Sequence, residues 1–208
     1  MQDWNRQPPT PSDLGDHEVP REGDELHEIR IALLVTGGIA AYMTPTLARS
    51  LRRRGATVRA FCSDEALRFV TAETLEWATN EPCVTALTAA SEHLSDQDPF
   101  DVYLMAPATY NSIGKVSAGI ADNVVTTAMA SALGRMEQGL SQVLLAPTMH
   151  GSMHNQILVD NCARLAGMGV RIIPPRDAYG KHNLPGDDDL VAEVVAAVER
   201  MRSGEVVR

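Results

Sequence analysis

Long apolar runs are missing from this chain. Nothing in its 208 residues approaches the roughly 20 consecutive apolar residues of a membrane span, although hydrophobic residues make up 44% of the total. A basic-then-apolar leader is missing too. The first 25 residues are polar and acidic, which predicts no signal peptide and a soluble, cytoplasmic protein. Cysteine is scarce. Cys62, Cys83 and Cys162 are far apart and form no CxxC pair. That argues against a disulfide framework and a structural metal site, and predicts reduced, partly buried thiols. Positive charge is also short, with 18 Lys and Arg against 27 Asp and Glu. The resulting net charge of -9 repels phosphate backbones and argues against nucleic-acid binding.

What the chain does contain divides unevenly. Residues 1–28 carry Pro8, Pro9, Pro11 and Pro20, with eight acidic side chains against Arg6 and Arg21. That segment holds -6 of the total -9 and buries too little apolar surface to offset chain entropy. It reads as a flexible, acidic, Pro-rich extension, with residues 29–208 as the folded domain. In the domain, apolar runs at Ile29–Val35, Thr57–Cys62, Asp101–Met105, Gln142–Ala146 and Val170–Ile173 read as strands. Helical spacing separates them at Ala40–Arg54, from Ser63 to Val70, at Ala118–Leu133, Met153–Met168 and Leu190–Met201. Alternating strands and helices predict an α/β fold with a parallel sheet and helices on both faces.

Ligands of such sheets bind beyond the carboxyl ends of the strands. Four loops stand there. In the first, Thr36-Gly37-Gly38-Ile39-Ala40, two glycines let backbone N–H groups approach an anion at a helix start. No Lys follows in P-loop spacing, so an ATPase reading fails. The second offers the Ser63 hydroxyl, as a helix cap or as a phosphate contact. The third, Ala106 to Asn123, is dense in small polar groups and enters a helix. Its amides and N–H groups suit a planar heteroaromatic ring with polar edges. The fourth runs from Pro147 to Met153.

The third loop resembles the PASANT motif of the homo-oligomeric flavin-containing cysteine decarboxylases. It keeps Pro107, Ala108 and Asn111 within P-A-T-Y-N-S, followed by the matching K-x-x-x-G-I-A-D-N continuation. Pro147-Thr148-Met149-His150-Gly151-Ser152-Met153 is similar to the family's second motif, P-x-M-N-x-x-M, with His150 in place of the usual Asn. His93, eight residues before Asp101, falls where the family's active-site base stands. The resemblance covers roughly residues 30–200. It implies a flavodoxin-like, Rossmann-type three-layer fold, and trimers that often assemble into dodecamers with FMN near subunit contacts. FMN contacts are expected from Gly37, Gly38, Ile39 and Ser63. More are expected from Pro107, Thr109, Tyr110, Asn111 and Ser112, and from Thr148 and Met149. Substrate contacts are expected from Asn111, His150, Met153 and Tyr179, with His93 as the acid/base group.

That family includes phosphopantothenoylcysteine decarboxylase and the peptidyl-cysteine decarboxylases of lantibiotic-type pathways. In the first branch, a loop cysteine donates the proton that completes reduction to a saturated thiol. Tyr179 stands at that position here, within Asp177-Ala178-Tyr179-Gly180-Lys181. The expectation is therefore oxidative decarboxylation of a peptide's C-terminal cysteine, stopping at the enethiol. Two alternatives stay open. One is phosphopantothenoylcysteine decarboxylation in coenzyme A biosynthesis. The other is a flavin-binding regulatory subunit that catalyses nothing.

Overall fold

The computed structural model describes residues 6–94 and 98–204. Strand β1 (Arg30–Val35) leads through a 3-10 turn at Ile39–Met43 into helix α1 (Thr44–Arg53). Strand β2 (Thr57–Cys62) and helix α2 (Ala72–Thr79) follow. Strand β3 (Val102–Ala108) enters helix α3 (Tyr110–Ser117), and helix α4 (Val124–Glu137) leads to strand β4 (Gln142–Pro147). Then come the two-residue strand β5 (Met149–His150), helix α5 (Gln156–Gly167) and strand β6 (Arg171–Ile172). A hairpin of β7 (Arg176–Ala178) and β8 (Lys181–Asn183) precedes the last helix, α6 (Asp187–Ser203).

The main sheet runs β2-β1-β3-β4-β6, with every pairing parallel. This is the flavodoxin-like order, and it reverses between β1 and β3. Period-two alternation divides the sheet's side chains between two cores. Ile31, Leu33 and Val35 of β1 pack with α1 and α6, whereas Ala32 and Leu34 pack with α3, α4 and α5. Both faces are covered, which is why these strands read as continuous apolar runs.

Two helix expectations are corrected. The helix expected from Ser63 to Val70 shrinks to a 3-10 turn at Ala66–Arg68, and the α-helix begins later, where Thr71 accepts a hydrogen bond from the Thr74 N–H. The helix expected over Ala118–Leu133 splits. Gly119 takes a positive φ of 72°, and Asn123 caps α4 through a capping box with Thr126. The second sheet, β5-β8-β7, lies outside every strand expected from the sequence.

The division at residue 28 does not coincide with a change in packing. Leu26 is fully buried, and its N–H donates to the Arg54 carbonyl at the end of α1. The Glu22 and Gly23 N–H groups donate to Arg53, so the segment satisfies carbonyls that a helix end leaves open. Burying a leucine contributes about 1.5–3 kcal/mol, which offsets ordering cost in an otherwise polar stretch. Residues 1–5 of the expected extension lie outside the described residues. No helix among the described residues is long and apolar enough to cross a membrane.

Candidate active site

A cavity of about 960 Å³ opens beyond the carboxyl ends of β1 and β3, where the strand order reverses. Its floor comes from two loops stitched by one buried side chain. The Thr36 hydroxyl donates to the Pro107 carbonyl at 2.7 Å, and its oxygen accepts from the Thr109 N–H at 3.2 Å. Gly37, Gly38 and Ile39 line the cavity from the β1 side. A Cβ on Gly38 would stand 3.3 Å from the Thr109 methyl, so glycine keeps this floor open. The β3 side supplies Thr109, Tyr110, Asn111 and Ser112. Thr109 caps α3 by accepting from the Ser112 N–H, and the two hydroxyls lie 3.0 Å apart.

Ser63 also lines the cavity. Its carbonyl, rather than its hydroxyl, receives the Ala66 and Leu67 N–H groups. The side chain is therefore not spent as a helix cap. Just before it, hydrogen bonding with Cys83 and burial push the Cys62 thiol up, away from thiolate chemistry. All three cysteines are free, and none lines the cavity.

The β4 side brings Thr148, Met149, His150 and Met153 to the same cavity. His150 Nδ1 accepts from the Ser152 N–H at 3.1 Å. The ring's remaining proton then sits on Nε2, and that atom is a donor even when the imidazole is neutral. His150 thus keeps the donor function of an Asn amide. Across the cavity, Lys115 and Asp122 are 2.6 Å apart. The hydrogen bond from Lys115 holds the Asp122 carboxyl below its ordinary range. This pair, the left-handed Gly119 and the Asn123 cap give the GIADN stretch a visible job, which is to hold α3 against the start of α4.

Three expected site residues lie elsewhere. Pro107 is buried inside β3 under Gly38, and reaches the site only through its carbonyl. Tyr179 sits at the tip of the β7–β8 hairpin. It and Gly180 take positive φ values of 54° and 67°, as a two-residue hairpin turn requires. That turn throws the ring outward, 94% exposed and off the cavity lining. His93 does not line the cavity either. It belongs to the segment that returns from the edge of β2 to the foot of β3. Its Nδ1 is buried with no hydrogen-bond partner among the described residues.

Conversely, sequence reasoning missed the wall built by the second sheet. Arg176, Lys181, His182 and Asn183 line the cavity. His182 Nδ1 lies 2.6 Å from Asp177, and its Nε2 lies 2.9 Å from His154 Nδ1. The His154 link joins the hairpin to the turn that carries Met153.

A doubly wound parallel sheet with a polar cleft at its reversal defines a cofactor-binding protein of the flavodoxin-like class. The chain belongs to the Flavoprotein family, whose profile matches residues 20–199. It is similar to the coenzyme A biosynthesis bifunctional protein CoaBC of Thermococcus kodakarensis, at 34% identity over 171 residues. That match covers 80% of this chain and 41% of the relative, so the chain spans less than half the relative's length. Its fold is shared with the FMN-dependent cysteine decarboxylase SpaF, with a TM-score of 0.72 at 22% identity. The alignment covers 85% of this chain and 99% of SpaF. A cysteine-to-serine mutant of PPC decarboxylase complexed with pantothenoylaminoethenethiol aligns with a TM-score of 0.69 at 21% identity, covering 82% of this chain and 98% of that one.

Proposed function

We propose that the chain is an FMN-dependent cysteine decarboxylase acting on phosphopantothenoylcysteine. One observation carries the reaction class. The loops at Gly37–Ile39, Thr109–Ser112 and Thr148–His150 are far apart in sequence and line a single cavity, and the second and third of them match the decarboxylase motifs. The substrate assignment rests on kinship. The matched curated relative is a coenzyme A biosynthesis protein, which favours this substrate over the peptide that Tyr179 suggested.

The cavity's residues fit FMN. Gly38 leaves open floor, and Thr109, Asn111 and Ser112 offer hydroxyl and amide groups to a polar-edged ring. Gly37 and Ile39 place backbone N–H groups at a helix start, where an anion is favoured. When bound, FMN would supply the two-electron oxidation at the cysteine β-carbon that creates a sink for the electrons released with CO2, and would return the same two electrons afterwards, so that the net change is loss of CO2 alone. His150 donates from Nε2 to the substrate carboxylate and holds it while the carbon–carbon bond breaks. Met149 and Met153 supply apolar contact around the thiol. His93 is the proposed acid/base group, although it lies off its own chain's cavity. A homo-oligomer, a trimer or a dodecamer built from trimers, would resolve this by bringing His93 of one copy to the cavity of the next. The exposed Ile39 and Tyr42 at the cavity rim supply apolar surface for such a contact.

Mass spectrometry of the holoprotein with two substrates tests the reading. Phosphopantothenoylcysteine should lose CO2 alone. A peptide ending in cysteine that instead loses CO2 and two hydrogens, with the small substrate untouched, would transfer the assignment to peptide modification. His93→Asn should stay yellow and lose turnover.

A further inference from the structure

The second sheet carries its charges asymmetrically, with both cations on one face. Arg176 stands opposite Asn183, Ala178 opposite Lys181, and Lys181 in turn opposite His150. Directly opposed residues of antiparallel strands share a face. His150, Lys181, Asn183 and Arg176 therefore stand on one face, and all four line the cavity. Asp177 is the hairpin's one carboxylate. It stands on the other face with His182 and Met149, and, unlike those two, does not line the cavity, its carboxylate being bonded to His182 at 2.6 Å.

The consequence is positive charge on the hairpin with no carboxylate paired to it. Lys115, also in the cavity, is matched by Asp122, and Glu65 by Arg68, while the third lining carboxylate, Asp64, belongs to the loop after β2 and not to the hairpin. Arg176 and Lys181 have no ion pair among the described residues, in a chain whose net charge is -9. Both belong to a hairpin that holds its own shape. The Asn183 amide donates to the carbonyls of Arg176, Ala178 and Lys181 at 3.0–3.3 Å. Diagonal neighbours on such a face are about 7–8 Å apart, within reach of one shared anion for side chains this long. Two permanent charges exceed what a single carboxylate needs and match a phosphate dianion. His150 beside them is already committed to the reacting carboxylate.

We propose that Arg176 and Lys181 form the subsite for a phosphate ester carried by the substrate at the end remote from its cysteine carboxylate. The subsite deepens the decarboxylase reading and rests on it for the identity of the ligand. FMN also carries a phosphate, so the test must separate the two sources.

Calorimetry on the holoprotein does so, with phosphopantothenate and pantothenate as probes. The unaltered protein should bind the phosphorylated probe at least about tenfold more tightly, as charge-assisted pairing to two cations predicts. The double variant R176Q/K181Q, altered only at exposed side chains, should erase that preference. It should keep its pantothenate affinity and its FMN affinity, the latter read by flavin fluorescence on reconstitution. Equal affinity for the two probes in the unaltered protein would overturn the subsite. So would a preference that survives the substitutions, or a parallel loss of FMN, which would assign the cations to the cofactor's phosphate. A phosphate preference without turnover of phosphopantothenoylcysteine would sink the proposed function and leave the subsite standing. Turnover without the preference would do the reverse.

Discussion

Two walls of the same cavity are built in different ways. The floor consists of loops that leave the ends of buried parallel strands, with Thr36 bonding across from one loop to the next. The far wall is a three-stranded sheet of two- and three-residue strands, half of whose residues are exposed. The floor is anchored to both cores, since Val35, Ala106 and Ala108 are all buried. The hairpin is held by the Asn183 amide, by His182 and by the Gly151 N–H to the Gly180 carbonyl at 2.9 Å. A rigid floor suits a cofactor that stays. A wall tied by a few polar bonds at the surface suits recognition of a substrate that comes and goes, because locally stabilised segments open at the least cost.

The largest effect that tests this division is expected at the floor. Gly38→Val places a branched side chain against the Thr109 methyl and into the space the ring would occupy. FMN affinity should fall by about a hundredfold or more, equivalent to roughly 2.7 kcal/mol. The far wall should remain intact by circular dichroism and by hydrogen exchange of the hairpin amides. A Gly38→Val protein that purifies yellow with ordinary affinity would show that the flavin does not lie over this floor.

A smaller effect is expected where the two walls meet. His150→Ala removes the Nε2 donor, and a hydrogen bond to a charged group contributes about 1.5–3 kcal/mol. kcat/KM should drop roughly 10- to 100-fold with FMN affinity unchanged. His150→Asn restores a neutral donor and should recover most of the loss. If Asn behaves like Ala, the histidine works as a charge or as a proton carrier, and the neutral-donor account fails.

The same contrast explains what could be read in advance. Strands such as Arg30–Val35 are buried on both faces, so their apolar runs mark them clearly, and the loops at their ends follow by position. Gly37, Asn111, Thr148 and His150 were legible for that reason. The hairpin was not. Arg-Asp-Ala and Lys-His-Asn have neither apolar alternation nor β-branched residues, and pairing between them depends on a turn formed by Tyr179 and Gly180. Aligning that stretch with a relative's cysteine placed Tyr179 in the site, whereas its positive φ turns it out to solvent. His93 was legible as a motif residue but not as a position, because its place depends on a segment outside the parallel sheet. Leu26 went unread for a different reason. One buried leucine among charges carries no periodicity, yet it ties the acidic segment to α1.

The smallest expected effect concerns what holds the hairpin in place. Asp177 does not line the cavity, and its side chain is 69% exposed. Its bond to His182 orients the ring whose other nitrogen meets His154. Asp177→Ala removes both the acceptor and the charge, and exposed pairs of this kind contribute about 0.2–1 kcal/mol. Global stability should therefore move by no more than that. Exchange at the β7 and β8 amides should quicken severalfold, and KM should rise two- to threefold with FMN affinity constant, each in line with a local loss of that size. Asp177→Asn keeps an oxygen that can accept from Nδ1 and gives up only the charge. It should fall between Ala and the unaltered protein if geometry dominates, and match Ala if the charge does. Unchanged hairpin exchange in both variants would mean that Asn183 and the Gly151–Gly180 bond suffice to fix the wall, and that Asp177 serves only to keep its carboxylate away from Arg176 and Lys181.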